Sequence, residues 1–412
     1  MKIVMICQWF PPEHAPIGVM LSEMAEDLIQ KGHSVSIITG FPNHPEGIVF
    51  KGYNKKIFNK EDESGLKIIR CYLYTSPKKT FLRRAANYLS FAMSSFVAAM
   101  CMEKHDVLLM VSPPLSNGLI AIALKKIKKL RFVFNVQDIY PDAAISTEII
   151  KNPFLIKVLM KLEQIIYHEA KSVSLISEGF KNNLLAKGVP EEKINVIENW
   201  IDTNEIVPMN KHNDFSIKHE LIDKFVILYS GTIGIISGAE IIIDCAKNLS
   251  DYEDILFLFV GEGIVKDEIR KKVNQLSLKN IKFLSFQPRK LLSEVQSCSD
   301  VSVLTLAKDK GKTSVPSKIL GYMAAARPVV ASIDESSDTH RLINEAKCGI
   351  CVEPGNADNL SDIILTLYHD RHLAEQLGRN GREFLMNNCG RKKITSQYEK
   401  MFLECDKDLP HA

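Results

Sequence analysis

Glycines and a lysine that could bind a phosphate group occur at the ends of predicted strands in the second half of the chain. Gly231 and Gly261 each come directly after a short apolar run, and glycine lets a ligand approach the main chain closely. The segment Ser314–Lys318 precedes a helical pattern, and its Ser and Pro are helix-start signals. Free N–H groups at a helix start and the Lys318 ammonium would both favour an anion. These segments together predict a site for a nucleotide diphosphate.

The first half carries two further candidates. Gly18 lies in a loop that follows the first predicted strand and opens a helix, so a phosphate could approach it. Gln137 and Asp138 follow the strand that ends at Val136, where they could orient sugar hydroxyls; for Asp138 a helix or turn cap is the structural alternative. The sequence has neither the G-x-G-x-x-G dinucleotide fingerprint nor a G-x-x-x-x-G-K-[ST] phosphate loop.

Short apolar runs alternate with longer helical patterns along almost the whole chain. Near-continuously apolar strands are typical of a parallel sheet that is covered on both faces. In the first half we expect strands at Ile3–Cys7, Ser34–Thr39, Val107–Val111, Phe132–Val136 and Ser172–Ile176. After a stretch without a clear period at about 200–224 the pattern restarts, with strands expected at Phe225–Tyr229, Ile255–Val260, Ile281–Leu284, Val301–Leu304, Val329–Ala331 and Ile350–Val352.

The predicted fold class is therefore α/β, with two doubly wound Rossmann-like domains that face a central cleft. Ligands in such sheets bind beyond the carboxyl ends of the strands. We expect an N-terminal domain at 1–200, a C-terminal domain at 201–390 and a last helix within 391–412 that crosses back to the first domain.

The composition is that of an ordinary globular protein, with 46% apolar and 25% charged residues among 412. It argues against disordered, collagen-like and low-complexity classes. The nine cysteines are odd in number and dispersed, which favours buried thiols in a reducing compartment; Cys348 and Cys351 lack the second ligand pair that a zinc site needs. The first apolar run is too short for a signal peptide, and no run is long enough to span a membrane.

One segment departs from the balanced charge of the chain, whose formal net charge is +3. Between Lys51 and Arg131 there are 16 Lys and Arg residues against 5 Asp and Glu. Inside it lies an apolar stretch, Tyr88–Met100. A basic flank beside an apolar helix indicates attachment to an anionic membrane surface, and the alternative is a buried helix with a solvated basic neighbour. We expect membrane contact through residues of about 78–104 and no nucleic-acid partner.

Several motifs resemble family 4 glycosyltransferases of bacterial surface-polysaccharide assembly, similar to fucosamine transferases. They cover nearly the whole chain and are Phe10–Glu13, Lys31–Val35, Thr39–Pro45, the Q-D-x-x-P of Gln137–Pro141, the N-W-I-D of Asn199–Asp202, and V-P-S-K at Val315–Lys318 followed by Y-M-A-A-x-R-P-V at Tyr322–Val329.

The resemblance implies a retaining GT-B enzyme that uses a UDP-sugar donor, with an N-acetylated 6-deoxyhexosamine favoured as the sugar. It implies a polyprenyl-diphosphate-linked saccharide as acceptor, in O-antigen, capsule or colanic-acid-type synthesis, and a cytoplasmic location at the inner face of the cytoplasmic membrane. No metal cofactor is expected, because no D-x-D is placed at a cofactor site. The alternatives are a nonhydrolysing sugar-nucleotide epimerase and a non-catalytic subunit of a polysaccharide complex.

The chain departs from the wider family at charged positions. The E-x7-E pattern would fall on Thr313 and Gly321, and the Arg and Lys of the first C-domain loop would fall on Thr232 and Ser237. Lys318 can replace one missing cation, with Lys312 or Arg289 as a second. We therefore predict Asp138 and Lys318 as catalytic residues. The predicted donor-binding residues are Gly18, Gly231, Thr232, Gly261, Glu262, Phe286, Gln287, Val315, Ser317 and Lys318.

Overall fold

A computed structural model describes residues 1–13, 15–53, 56–78, 80–311 and 315–407, without the side chain of Lys407. It divides the chain into two compact units. Unit 1 contains Met1–Asn199 and the C-terminal segment from Arg391 onward, and unit 2 contains Trp200–Gly390. Lys312, Thr313 and Ser314, which the sequence analysis named, lie outside the described residues, as do Lys79 of the expected membrane-contact segment and the last five residues of the segment 391–412.

Unit 1 is built on an eight-stranded sheet of the order β3-β4-β2-β1-β5-β6-β7-β8 within the described residues. All pairs are parallel except the antiparallel pair β3 and β4. The strands are β1 Lys2–Ile6, β2 Ser34–Gly40, β3 Phe58–Glu63, β4 Leu66–Cys71, β5 Val107–Ser112, β6 Arg131–Val136, β7 Ser172–Leu175 and β8 Ile194–Val196. The helices are α1 Pro16–Gln30, α2 Phe81–Cys101, α3 Asn117–Lys128, α4 Asp142–Ser146, α5 Pro153–Glu169 and α6 Glu178–Ala186, and a 3-10 turn spans Glu191–Lys193.

Unit 2 is built on a six-stranded parallel sheet of the order β11-β10-β9-β12-β13-β14. The strands are β9 Phe225–Ser230, β10 Ile255–Val260, β11 Ile281–Leu284, β12 Val301–Thr305, β13 Val329–Ser332 and β14 Gly349–Val352. The helices are α7 Asp214–Lys218, α8 Glu240–Asn248, α9 Lys266–Gln275, α10 Leu292–Ser297, α11 Lys318–Ala324, α12 Asp338–Ala346, α13 Ala357–His369 and α14 Arg371–Asn388, with 3-10 turns at Ile235–Ser237 and Arg289–Leu291.

The last helix, α15 Arg391–Lys407, packs in unit 1 against α1. The Arg391 guanidinium donates to Asp27 Oδ1 at 2.8 Å, and Thr395 Oγ1 donates to the other oxygen of the same carboxylate at 2.8 Å. Asn135 Nδ2 of β6 donates to the buried Tyr398 hydroxyl at 2.9 Å. The C-terminal helix thus belongs to the core of the N-terminal sheet, although more than 190 residues of unit 2 separate the two parts in sequence.

The prediction of two parallel, doubly wound sheets is confirmed. The central strands are buried along their length, as in β5, where all six residues are buried, because helices cover both faces. Sequence reasoning missed the hairpin of β3 and β4. The sequence of β3, FNKEDE, is charged and half exposed, since it forms the edge of the sheet and lacks the apolar pattern of a buried strand.

Candidate functional site

Two glycine loops meet at the carboxyl ends of β9 and β10 in unit 2. Gly231 N donates to Val260 O at 2.9 Å, and Gly231 adopts a φ of 126°, which disfavours any side chain. A Cβ atom on Gly261 would lie 1.9 Å from Gly231 O. The two loops therefore contact each other main chain to main chain. Both glycines are required by this packing, in addition to the ligand access that the sequence suggested.

Lys318 begins α11 beside these loops. Its Nζ lies 3.7 Å from the centroid of the Tyr229 ring, and its Cε would lie 3.3 Å from a Cβ on Gly231. Within the described residues Lys318 has neither a hydrogen bond from its ammonium nor a salt bridge. Burial lowers its pKa to about 7. The sequence analysis predicted Lys318 as a catalytic cation in the first turn of a helix, and the structure half-buries it against an aromatic ring.

The short helix α11 contributes less than expected to an anion site. It has seven residues, and the Ser317 side chain makes no capping hydrogen bond although Ser317 occupies the N-cap position. Val315 and Ser317 are half-buried at its start. The predicted positive charge therefore rests on Lys318 more than on the helix end.

Glu262 follows Gly261, and its carboxylate is held by Lys266 four residues later. Lys266 Nζ is almost fully buried and donates to Glu262 Oε1 at 2.7 Å and to Gly261 O at 2.8 Å. Burial opposes the charged carboxylate, but hydrogen bonds from Lys266 and Ser285 outweigh it and hold the pKa of Glu262 below its ordinary value. Glu262 is thus a carboxylate at neutral pH, and Lys266, which sequence reasoning missed, fixes the loop.

The remaining predicted donor-side residues lie near the same edge of the sheet. Thr232 is exposed, and its carbonyl accepts from the Tyr229 hydroxyl at 2.8 Å. Phe286 is exposed beyond β11, and Gln287 Nε2 donates to Ser285 O at 2.9 Å. Since β11, β10 and β9 are neighbours in the sheet, the loops that follow them share one end of unit 2.

At the positions that would be charged in the wider family, this chain has residues that form internal hydrogen bonds or packing contacts. Ser237 is buried and donates its Oγ to Gly234 O at 2.5 Å. A Cβ on Gly321 would lie 3.5 Å from the amide nitrogen of Gln296, a side chain that is 5% exposed. Arg289, one of the two suggested replacement cations, pairs with Glu205 through two guanidinium nitrogens. Of the two suggested cations that the structure describes, Lys318 is therefore the one without an ion pair.

In unit 1, the main chain at Trp9 packs directly against Gly18 in the first turns of α1. A Cβ on Gly18 would lie 2.8 Å from Trp9 O. Glu13 of the same loop is buried, and its carboxylate accepts from the main-chain nitrogens of Asn43 at 2.7 Å and His44 at 2.8 Å. These contacts join two of the segments that resemble the family. The close approach of Trp9 O accounts structurally for Gly18, whose role in donor binding stays a prediction.

Asp138 lies just beyond the end of β6 and has no hydrogen-bond partner among the described residues. Burial raises its pKa to about 7. Its neighbour Gln137 is held by a chain of amides, since Asn199 Nδ2 donates to Gln137 Oε1 at 2.9 Å and Gln137 Nε2 donates to Asn135 Oδ1 at 2.9 Å. The predicted capping alternative for Asp138 has no hydrogen bond to support it.

Sequence reasoning missed three residues near Asp138, namely Arg84, Tyr88 and Tyr140. Burial raises the pKa of both phenols, that of Tyr140 to about 12, and both also respond to the charges of Arg84 and Asp138. The tyrosines therefore lie close to both charged groups. The sequence signal was weak, because Arg84 and Tyr88 are one helical turn apart in a stretch that otherwise indicates only an apolar helix.

Helix α2 buries one face and exposes an apolar stripe on another. Phe91, Ser94, Ser95, Ala98 and Ala99 are buried. The stripe consists of Leu82, Leu89, Met93 and Val97, which are 77%, 56%, 72% and 48% exposed. Among the described residues, none of the helices meets the length and hydropathy needed to cross a bilayer. The described part of the chain also holds no group of three or more His, Cys, Asp or Glu residues arranged to bind a metal ion.

Comparisons with known proteins agree with this architecture. Residues 17–205 match the family described as Glycosyltransferase Family 4, and residues 211–384 match Glycosyl transferases group 1. The chain is 28% identical over 369 residues to WcaI of Escherichia coli (strain K12), described by name as a colanic acid biosynthesis glycosyl transferase; the match covers 87% of this chain and 90% of WcaI.

Solved structures share the fold at low sequence identity. Sucrose-phosphate synthase from Thermosynechococcus elongatus superimposes with a TM-score of 0.76 at 16% identity, covering 98% of each chain. Anabaena Alr3699/HepE in complex with UDP-glucose superimposes with a TM-score of 0.70 at 16% identity, covering 98% of this chain and 100% of HepE. The chain is therefore a glycosyltransferase of the GT-B fold, and it belongs to glycosyltransferase family 4 in its N-terminal half and to glycosyl transferases group 1 in its C-terminal half.

Proposed function

We propose that this glycosyltransferase moves a sugar from a UDP-sugar to a lipid-linked saccharide, with retention of configuration, during synthesis of a bacterial surface polysaccharide. The observation that carries the proposal is Lys318, an unpaired and half-buried cation beside the bare main chain of Gly231. The name of WcaI supports a polysaccharide product, and the UDP-glucose complex of HepE supports a UDP-sugar donor. An N-acetylated 6-deoxyhexosamine remains our proposed donor sugar, and O-antigen or capsule the proposed product.

The proposed reaction breaks the bond between the anomeric carbon of the donor and its phosphate oxygen. UDP leaves with the electron pair of that bond, and the acceptor hydroxyl oxygen forms the new glycosidic bond on the same face. The hydroxyl proton passes to the leaving phosphate. Because negative charge grows on the diphosphate during this step, a cation and main-chain N–H groups beside it lower the barrier.

Lys318 is the proposed group for this stabilisation. Moving an ammonium out of water is costly, and burial of Lys318 therefore lowers its pKa to about 7. A diphosphate bound next to Nζ would reverse the balance and favour the charged form. The interaction would strengthen as the leaving group gains charge, which is the property that a catalytic contact needs. We propose that the reaction needs no bound metal.

We propose that the acceptor binds to unit 1 at the carboxyl end of β6. Asp138 offers an unpaired carboxyl there, and its pKa of about 7 gives it both a proton-accepting and a proton-donating form near neutrality. Its proposed role is to hydrogen-bond an acceptor hydroxyl and orient it.

We further propose that unit 1 docks on an anionic bilayer at the inner face of the cytoplasmic membrane, through the exposed stripe of α2. The stripe carries no acidic residue, and basic side chains flank it on α2 and on the neighbouring helix α3. An apolar face with a basic border matches a surface of anionic lipid headgroups over acyl chains.

Vesicle sedimentation tests this docking. Leu89→Glu combined with Met93→Glu should release the protein from phosphatidylglycerol vesicles, because charge on the stripe cannot enter the acyl region. Met386→Glu, at a position of unit 2 that is 56% exposed, is the matched control. Equal sedimentation of the two variants would contradict docking through α2.

A screen of nucleotide sugars tests the reaction. The expected result is that a UDP-sugar stabilises the protein, by about 2.7 kcal/mol at 100 times its dissociation constant, and that UDP is released on adding the lipid-linked acceptor. Binding without UDP release would favour a non-catalytic subunit, and release of a free epimeric nucleotide sugar would favour an epimerase.

A further inference from the structure

The first turns of α2 present different chemistry on two sides. Leu82 and Leu89 belong to the exposed apolar stripe, whereas Arg84 and Tyr88, which are four residues apart, lie towards Asp138. Asn87, between them in sequence, anchors this part of the helix, because its Oδ1 accepts from Gln8 Nε2 at 2.6 Å and its Nδ2 donates to Tyr74 O at 2.6 Å. Arg84 and Tyr88 therefore project from a helix that is fixed against the carboxyl end of β1.

Arg84 is a cation without an internal partner. In the described part of the chain its guanidinium has neither a salt bridge nor a hydrogen bond, unlike that of Arg83, whose Nη1 donates to Ser76 Oγ at 2.8 Å. The phenols of Tyr88 and Tyr140 likewise make no side-chain hydrogen bond in that part. These three side chains and Asp138 thus offer four unused polar groups in one region of unit 1.

Both tyrosines lie near Arg84 and Asp138, since the charges of both groups act on the two phenols. Tyr140 is two residues from Asp138 beyond β6, and Tyr88 is one helical turn from Arg84 on α2. The four side chains therefore share one region of unit 1.

We propose, building on the proposed function, that Arg84 binds a phosphate of the lipid-linked acceptor, that Tyr88 and Tyr140 contact its sugar, and that Asp138 positions the reacting hydroxyl. A lipid-linked saccharide diphosphate carries phosphates, sugar hydroxyls and a prenyl chain, and these are the groups that a guanidinium, phenols with a carboxyl group, and an apolar stripe would bind. The prenyl chain would enter the bilayer beside the α2 stripe. The same helix would then dock the membrane and recognise the acceptor that the membrane carries.

A phosphate contact is favoured over a carboxylate partner within the chain, because an arginine fork binds phosphate oxygens through two parallel hydrogen bonds. Such a charged contact is worth about 1.5–3 kcal/mol, which corresponds to roughly 10- to 150-fold in affinity. The ligand class is a prenyl-linked diphosphate, which differs from an ordinary anionic phospholipid by its two adjacent charged phosphates.

The test compares Arg84→Gln with Arg83→Gln, a neighbouring substitution that removes the same charge from the same helix. Phosphatidylcholine vesicles carry farnesyl diphosphate, farnesol, or phosphatidylserine at matched surface charge. We expect Arg84→Gln to weaken sedimentation with the farnesyl diphosphate vesicles roughly 10- to 150-fold relative to Arg83→Gln. On farnesol or phosphatidylserine vesicles the two variants should behave alike. Equal loss by both variants on farnesyl diphosphate would overturn the proposal.

A second arm separates the acceptor phosphate from the diphosphate of the nucleotide. UDP affinity, measured by calorimetry, should be the same for Arg84→Gln and the wild type, whereas a parallel loss would place Arg84 in the donor site and reject an acceptor role. Tyr88→Phe should weaken acceptor binding without changing UDP affinity. The vesicle comparison does not depend on the result of the UDP-sugar screen. A wild-type protein that releases no UDP would contradict the proposed function, but the vesicle comparison would still test whether Arg84 binds the prenyl-linked phosphate.

Discussion

The protonation of Lys318 gives the sharpest consequence of the structure. Its pKa of about 7 means that about half of the protein molecules without bound UDP carry a charged lysine at pH 7, and only a few per cent do so at pH 8.5. If UDP binds the charged form and holds the proton, its apparent affinity should fall by roughly 15-fold between these two pH values. The phosphate changes this slope little, because its second pKa lies near 6 and most of it is already ionised at pH 7.

The assay is isothermal titration of UDP at several pH values in buffers of different ionisation enthalpy. Wild-type binding should take up close to one proton at pH 8.5, and Lys318→Arg should bind with a nearly constant affinity and no uptake, because arginine stays protonated. The control Lys271→Ala removes an exposed lysine of unit 2 and should follow the wild type. An affinity that is flat with pH in the wild type, or a fall that Lys318→Arg shares, would refute a contact between Lys318 and the diphosphate.

Three further outcomes are expected. Lys318→Met should raise the melting temperature at pH 7, because folding lowers the pKa of Lys318 from 10.5 to about 7. Between these two pH values the unfolded chain binds more protons than the folded protein, so the stability of the wild type rises with pH. The difference in melting temperature between Lys318→Met and the wild type should therefore be smaller at pH 9. Gly261→Ala should destabilise the protein by about 1–3 kcal/mol and weaken UDP binding, because the new Cβ atom would overlap Gly231 O. The control Gly188→Ala would only introduce backbone strain at a φ of 80°, since nothing lies within 4 Å of its Cβ position. Equal UDP affinity of the two variants would argue against a donor site at these loops. EDTA should leave the transfer rate unchanged, and a loss that Mg²⁺ or Mn²⁺ restores would contradict a metal-independent reaction.

The sequence predicted the structure best where neighbouring residues in the chain determine it. Apolar runs such as Val107–Val111 predicted buried strands, because a parallel sheet covered by helices has a simple pattern. The glycines after β9 and β10 were found because only glycine tolerates such close main-chain approach. The charged edge strand Phe58–Glu63 was missed, because edge strands lack that apolar pattern.

Relations between distant residues could not be predicted. Nothing in one sequence shows that Lys318 lies over Tyr229, or that Glu205 engages Arg289, because these pairs form only when separate elements meet. The same holds for Arg84 and Tyr140, which are far apart in sequence and converge near Asp138. Burial then changes the protonation of Lys318 and Asp138 in opposite directions, and no pattern of residue types contains that information.

Steady-state transfer by Lys318→Ala tests the central claim most directly. With a UDP-sugar that the wild type uses, we expect kcat to fall roughly 10- to 150-fold, the range that a charge-assisted hydrogen bond of about 1.5–3 kcal/mol predicts for the transition state. Lys271→Ala should retain the wild-type kcat, and circular dichroism should show that both variants are folded. Equal kcat values for the two variants would contradict the assignment of the donor diphosphate to Lys318.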